Sequence, residues 1–197
     1  MQLNRMLEEA YLLTYFKMAK KQEFLKEIKI PEGVEVEVKS NEVIVKKGDK
    51  ENKRRFSHVL IDKKEDKIII KTERSTKREI KQVNTTVAHL KNMFRGVEER
   101  FVYKLQICSV HFPMNVSIQG NEVIIKNFLG EKKERKAKIL HNSEVKIDKD
   151  LITVESSNKE LAGQTAANIE KITKVSNKDR RIFQDGIFMI EKSGKQI

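Results

Sequence analysis

The stretch "IPEGVEVEVKSNEVIVKKG" (30–48) decides the fold, because it returns as "HFPMNVSIQGNEVIIKNFLG" (111–130). Each copy has a proline followed by alternating apolar and polar residues, the period-two pattern of a strand with one buried face. Ser40-Asn41 in the first copy and Gly120-Asn121 in the second are two-residue turns of the type that closes hairpins. The sequence therefore predicts the same β-hairpin twice.

The elements that follow each hairpin also recur in the same order. A basic loop, a short strand, a helix and a closing strand come after each copy. The loops span 48–55 and 130–136, the short strands 67–70 and 151–154, and the closing strands 100–107 and 186–192. Matching prolines, turns and helices in one order favour an internal duplication over a chance similarity of two valine-rich hairpins.

Both predicted helices begin with the same device. Thr76 with Glu79, and Ser157 with Glu160, have the spacing of a capping box, in which a hydroxyl and a carboxylate bond the first backbone N–H groups reciprocally. Apolar side chains then recur at intervals of three and four, which predicts one buried stripe per helix. The stripes are Ile80, Val83, Val87, Leu90 and Phe94, ending at Gly96 as a helix stop, and Leu161, Thr165, Ile169 and Ile172.

The predicted fold class is α+β, with two tandem repeats of a small antiparallel sheet packed on one helix. We place the first repeat at 28–98, the second at 99–192 and a short tail at 193–197. Residues 1–27 form an N-terminal extension in which apolar residues at helical spacing predict an amphipathic helix over 3–20. That helix could pack on the first repeat, dock on a partner or lie at a membrane surface.

Charge composition points to a polyanionic partner. The chain of 197 residues has 41 Lys and Arg against 29 Asp and Glu, a formal charge of +12. Neutralised phosphates release counterions, so nucleic acid is the simplest partner for such an excess. One cysteine fits a reducing compartment, and no apolar run is long enough to span a membrane. We therefore expect a cytoplasmic protein without a membrane partner.

Motifs for catalysis or metal binding are absent. The sequence lacks the common phosphate, dinucleotide, hydrolase and zinc signatures. Cys108 and His111 are the one pair of side chains that could serve in catalysis or metal binding. A cysteine hydrolase or transferase is therefore the enzymatic alternative. The spacing of three puts the two side chains on opposite faces of an extended segment. We therefore expect no enzyme, no cofactor, no metal and no small-molecule substrate.

Basic residues gather in three tracts. The tracts contain Lys50, Lys53, Arg54 and Arg55; then Lys126, Lys132, Lys133, Arg135, Lys136 and Lys138; then Lys178, Arg180 and Arg181. If the second repeat folds like the first, the segments 127–138 and 176–186 come together at one end of the domain. Such an end would be a phosphate-binding surface on a rigid support.

The second half also resembles a known family. The tracts "HFPMNVSI", "NEVIIKNFLGEKKERK" and "VSNKDRRIFQDGIFMIEK", in this order, resemble the archaeal and eukaryotic branch of large-ribosomal-subunit protein six, called large-subunit protein nine in eukaryotes. The bridge "KNMFRGVEERFVYKL" (91–105) is similar to the same family's connection between its domains. The resemblance runs from about Ile30 to Lys192.

This resemblance implies a non-enzymatic structural role in the large ribosomal subunit. It implies binding to large-subunit ribosomal RNA, mainly through the second repeat, near the sarcin-ricin loop and the base of the factor-binding stalk. Neighbouring ribosomal proteins would be partners and translation factors would act nearby; location would be cytoplasmic, with nucleolar assembly in a eukaryote. The RNA-contacting residues it implies, with one more from the same basic tract, are Asn127, Lys132, Lys133, Arg135, Lys136, Asn177, Lys178, Arg180, Arg181 and Lys192. The alternative is a free-standing RNA-binding or RNA-chaperone module.

Overall fold

A computed structural model describes residues 24–48, 50–72 and 76–197. The helix predicted over 3–20 lies outside these described residues. The chain divides into two compact units. Of the described residues, one unit contains 24–44 and those of Lys53–Lys91, and the other contains those of Val45–Asn52 and Asn92–Ile197.

The first copy consists of six strands and a helix. These are β1 (Phe24–Lys29), β2 (Glu35–Lys39), β3 (Glu42–Lys47), β4 (Lys50–Arg55), β5 (Leu60–Lys64), β6 (Lys67–Thr72) and α1 (Lys77–Glu98). The second copy has the same elements in the same order and two further strands. These are β7 (Phe101–Cys108), β8 (Asn115–Gln119), β9 (Glu122–Lys126), β10 (Arg135–Lys138), β11 (Ser143–Asp148), β12 (Leu151–Ser156), α2 (Lys159–Ile172), β13 (Gly186–Lys192) and β14 (Lys195–Gln196).

Sheet topology repeats with the element order. Strands β1, β6 and β5 form one sheet in that spatial order, and β7, β12 and β11 repeat it inside a five-stranded sheet that β13 and β14 extend. Likewise β2-β3-β4 is repeated by β8-β9-β10. The predicted α+β class with a tandem repeat is therefore confirmed.

The two hairpins that reveal the repeat form as predicted. Two residues join β2 to β3 and two join β8 to β9, with Ser40 at φ 51° and Gly120 at φ 58° in equivalent turn positions. Positive φ at the first turn residue suits the twist of a two-residue hairpin loop. The register of the second hairpin pairs Val116 with Ile125 and Ile118 with Val123, so the apolar residues of the two strands lie opposite each other.

Two predictions about the connecting segments are wrong. The segment predicted as a basic loop at 48–55 contains β4, which pairs with β3. The strand predicted to close the first copy at 100–107 is β7, which opens the second copy and pairs with β12 and β13. In β4 only Asn52 is buried, so this edge strand lacks the alternating apolar signal by which strands are recognised.

Helix α1 begins as predicted and ends later than predicted. The Thr76 N–H donates to Glu79 Oε2 at 3.2 Å and the Glu79 N–H donates to Thr76 Oγ1 at 3.4 Å, which confirms the capping box. Gly96 lies inside the helix instead of stopping it. A Cβ at Gly96 would lie 1.9 Å from the Ser157 carbonyl oxygen and 2.9 Å from the Phe101 ring, so glycine is required there by close approach.

Helix α2 is capped by a different residue from the predicted one. Asn158 is the N-cap, and its side chain accepts a hydrogen bond from the Glu160 N–H at 3.0 Å. The Ser157 hydroxyl instead donates to Asn52 Oδ1 at 3.3 Å. The buried face of α2 consists of Ala162, Thr165, Ala166 and Ile169, so the predicted stripe is correct at Thr165 and Ile169.

The core of the second unit lies between α2 and the strands β7, β10, β12 and β13. Alternate residues of β7 enter it, as the sequence predicts: Phe101, Tyr103, Leu105 and Ile107. Phe128 is the largest fully buried side chain among the described residues and is 1 % exposed. It comes from the connection after β9, which ties that connection to the core. No helix among the described residues is long and apolar enough to cross a membrane.

Candidate nucleic-acid interface

The connection between β9 and β10, residues 127–134, is the first of two loops that present cations. It begins at Asn127, which has φ 60° and whose Nδ2 donates to the Pro113 carbonyl oxygen at 3.0 Å. A short 3₁₀ turn, Phe128–Gly130, then buries the Phe128 ring. Lys132 and Lys133 follow and are exposed, with no ion pair to any described residue. Their ammonium groups are therefore available to a ligand.

Arg135, at the start of β10, is engaged inside the protein. Its Nε and Nη2 donate to the two carboxylate oxygens of Glu131 at 2.8 and 2.6 Å, and its Nη1 donates to the Ile172 carbonyl oxygen. The guanidinium carbon also lies 4.2 Å from the centre of the Phe128 ring. The hydrogen bond from Arg135 lowers the pKa of the Glu131 carboxyl. Arg135 thus joins the 127–134 loop to the end of α2.

The second loop is the connection between α2 and β13, residues 173–185. Asn177 has φ 59° and lies in the exposed part of this loop, residues 176–182. The Lys178 ammonium lies 4.4 Å from the centre of the Phe183 ring. Arg181 donates two side-chain hydrogen bonds to Asp179, at 3.2 and 3.0 Å, while its side chain stays 90 % exposed.

Both loops are bonded to the same segment, the 109–114 connection between β7 and β8. Asn127 donates to the Pro113 carbonyl from one side, as described above. From the other side, Asp185 Oδ1 accepts hydrogen bonds from the Val110 N–H at 2.6 Å and the His111 N–H at 2.9 Å. The segments 127–138 and 176–186 therefore meet at one end of the second unit, as predicted.

Asp185 is the buried acid of this end. Its side chain is 1 % exposed, and its Oδ2 lies 2.6 Å from His111 Nδ1. Burial raises the pKa of Asp185, but the hydrogen bonds from the His111 backbone and ring and from the Val110 N–H outweigh it, so the net pKa is lowered. The carboxylate is therefore ionised and accepts three hydrogen bonds, and the His111 Nδ1 must carry the proton in this contact.

A groove of about 770 Å³ lies beside the 173–185 loop. Apolar side chains such as Phe188 line it, together with the cations Lys171, Lys174 and Arg180. Its acids are already bonded, because Asp185 accepts from the 109–114 connection and Glu170 accepts from the Met189 N–H at 3.4 Å.

The predicted site residues fall into three groups. Lys132, Lys133, Lys136 and Arg180 are exposed and make no ion pair with a described residue. Asn127, Arg135, Asn177, Lys178 and Arg181 also lie at the end where the loops meet, but each has a local structural role or contact. Lys192 is six residues along β13 from Gly186, a distance of about 20 Å for a strand. The structure does not bring it to the other nine.

His111 and Asp185 are the residues that sequence reasoning missed. Sequence spacing pairs His111 only with Cys108 and assigns Asp185 no role. The structure pairs His111 with an acid 74 positions away. A signal existed in the sequence, because Asp185 stands alone between Gln184 and the glycine that opens an apolar strand, where a charged residue needs a partner.

Comparisons with known proteins agree with this geometry. A family model described as "Ribosomal protein L6" matches residues 112–186, a segment that contains both basic loops. Large ribosomal subunit protein uL6 of Methanococcus vannielii is 47 % identical over 171 residues, which cover 86 % of this chain and 94 % of that protein. The chain belongs to the ribosomal protein L6 family. The predicted resemblance to its archaeal and eukaryotic branch is therefore confirmed.

Similarity to the family extends well beyond the matched segment. Large ribosomal subunit protein uL6 of Methanobrevibacter smithii is 42 % identical over 168 residues, covering 84 % of this chain and 94 % of that protein. A match of this extent includes most of the first copy as well as the second. Members of the L6 family are structural components of the ribosome, which confirms the prediction that the chain is not an enzyme.

Proposed function

We propose that the chain is a structural constituent of the large ribosomal subunit that binds large-subunit ribosomal RNA through the end of the second unit where the two loops meet. We place this contact near the sarcin-ricin loop and the base of the factor-binding stalk, with neighbouring ribosomal proteins as partners and translation factors acting nearby. The second repeat, 99–192, would contain the main RNA surface. The relatives' names support the assembly.

The observation that carries the proposal is the pair of loops that project cations from a fixed base. The 127–134 loop is anchored by Phe128 and Arg135, and the 173–185 loop by Asp185. Between them they expose Lys132, Lys133 and Arg180 without internal ion pairs among the described residues.

Such a surface suits double-stranded or folded RNA. The deep major groove of A-form RNA is closed to side chains, so proteins recognise its shape, its phosphates and its 2′-hydroxyl groups. Lysine and arginine on loops bind phosphates without an aromatic stacking platform. Each phosphate neutralised releases counterions, so binding should weaken steeply with salt.

The test is salt-dependent cosedimentation with purified large subunits that lack this protein. We expect stoichiometric binding of the wild type that survives moderate salt. The variant Lys133→Ala/Lys178→Ala/Arg180→Ala removes three cations of the surface. It should reduce the slope of log K against log salt by about 2, because each lost phosphate contact removes 0.7–0.9 of the slope.

A matched control removes the same number and types of charge elsewhere. Lys64→Ala/Lys77→Ala/Arg78→Ala replaces exposed cations of the first unit, outside the matched family segment, and should retain the wild-type slope. Equal losses in both triple variants would mean generic attraction to polyanions. That result, together with failure to co-migrate with large subunits, would favour the free-standing RNA-binding or RNA-chaperone module.

A further inference from the structure

We propose that His111, Asp185 and Phe183 form a latch whose role is to position the cations of the 173–185 loop before RNA arrives. The inference deepens the proposed function and rests on it for the identity of the ligand. It assigns these three residues as positioning residues that contact no RNA themselves. The name latch refers to these three side chains throughout.

The acid of the latch holds the 109–114 connection from inside. Asp185 accepts two backbone hydrogen bonds, from Val110 and His111, and one from the His111 ring. Hydrogen bonds to an ionised acceptor are about twice as strong as those between neutral groups. Because Asp185 is the last residue of the 173–185 loop, these bonds fix where the loop ends.

The ring of His111 then fixes Phe183, two residues before Asp185 in the loop. Its centre lies 4.9 Å from the centre of the Phe183 ring, and the two planes are inclined by 22°, a stacked arrangement. Asp185 determines the orientation of the imidazole through Nδ1, so the acid also determines where Phe183 packs. The Lys178 ammonium lies over the Phe183 ring, so the packing of Phe183 also positions this cation.

Little else orders the exposed part of this loop. Residues 176–182 are all exposed, and Ile182 exposes 63 % of its surface. The local bonds are short-range, such as those from the Ile182 and Phe183 N–H groups to the Asp179 carbonyl oxygen at 3.2 and 2.9 Å. Local bonds shape a turn but do not fix its position on the protein. Val175 packs in the core before the exposed part, and the latch supplies the long-range contacts after it.

Positioning of this kind raises affinity by lowering the entropy lost on binding. Ordering a long side chain at an interface costs conformational entropy, and a loop that is already ordered avoids much of that cost. Breaking the latch should therefore weaken binding without removing a phosphate contact. Removing a cation should change the salt dependence as well.

The experiment compares three substitutions of His111 in the full-length protein at pH 8. His111→Ala removes both the hydrogen bond and the stacking. His111→Phe keeps a ring for stacking on Phe183 but has no donor for Asp185. His111→Asn keeps a donor close to the position of Nδ1, because the asparagine amide reaches about as far as that nitrogen, but has no ring.

The first readout is hydrogen exchange of the free protein. In His111→Ala we expect the amides of Ile182 and Phe183 to exchange at least about tenfold faster, while those of α2 keep their protection, since their stability comes from the core. His111→Asn and His111→Phe should each restore part of the protection. Unchanged exchange in His111→Ala would overturn the inference, whatever the protein binds.

The second readout is cosedimentation with large subunits lacking the protein, over a range of salt. We expect His111→Ala to bind about tenfold more weakly with an unchanged salt slope. Unchanged affinity would overturn the positioning role, and a slope reduced by about 1 would show instead that a cation has lost its phosphate contact. If the wild type does not bind subunits, the proposed function fails, and faster exchange in His111→Ala would still establish the latch as the device that orders the loop.

Discussion

The central carbon of the Arg135 guanidinium lies 4.2 Å from the centre of the Phe128 ring, while Phe128 itself is 1 % exposed. Arg135 thus holds in place the loop that displays other cations of the same basic tract. A count of positive charges along the sequence does not separate these two uses. The distinction leads to the first prediction.

Replacing Arg135 with lysine should destabilise the protein by about 1–2 kcal/mol although the charge is kept. Lysine cannot reproduce the paired hydrogen bonds to Glu131 or the contact of the guanidinium with the Phe128 ring. The free energy of unfolding from urea titration measures the loss. Lys132→Ala is the control, and it should change stability by no more than about 0.5 kcal/mol because its side chain is exposed. Equal stability of Arg135→Lys and the wild type would contradict an anchoring role.

Replacing each of two helical glycines with alanine should change the stability of the protein by different amounts. Gly96→Ala would push a methyl group onto the Ser157 carbonyl oxygen and should cost about 3 kcal/mol. Gly163→Ala meets only the Tyr103 hydroxyl, at 3.1 Å, and alanine is the better helix former by about 1 kcal/mol, so its net effect should be close to zero. Thermal unfolding of the two variants provides the comparison. A Gly96→Ala protein as stable as Gly163→Ala would show that the backbone yields at little cost.

The cap of α2 gives a third prediction. Asn158→Ala removes the acceptor for the Glu160 N–H and should destabilise the protein by about 1 kcal/mol. Ser157→Ala removes a longer hydrogen bond to Asn52 and should cost less than Asn158→Ala. Urea titrations of both variants at pH 7 decide the order. The reverse order would mean that the capping box expected from the sequence forms in solution.

Acid should weaken the contribution of Asp185 to stability. Its pKa in the folded protein is lowered from the ordinary value of 3.8, so the folded state releases this proton more readily than the unfolded state. The stabilisation is therefore present above about pH 4 and is lost as pH falls through the folded pKa. Asp185→Asn should be about 2 kcal/mol less stable than the wild type at pH 7, with a smaller difference at pH 3. Urea titrations at both pH values test this, and a difference that does not shrink in acid would contradict the proposed ionised contact.

The sequence predicts those parts of the fold whose apolar residues alternate or recur at helical spacing. The hairpins, α1 and β7 are of this kind, and the second copy confirms the first. It does not predict strands whose only inward residue is small or polar, such as β4 with Asn52 or β10 with Ala137. The pairing of these strands depends on neighbours distant in the chain, which a local pattern does not contain.

The candidate site shows the same limit. Sequence patterns and the family resemblance point to the two basic loops, and the structure brings them together. Apart from Arg135, the side chains that hold the loops are not basic, and the contact of His111 with Asp185 spans a long separation in the chain. Lys192 is the reverse case, since it is the last residue of the same family tract but lies at the far end of β13. Its role in binding RNA stays a prediction.

The connection after the repeated hairpin differs between the copies. Only residues 48 and 49 separate β3 from β4, whereas the eight residues 127–134 separate β9 from β10. The extra residues enter at a turn, so they disturb no strand register and no buried face. Duplication gives freedom in this way, because one copy can lengthen a single turn while the strands that the two copies share stay unchanged.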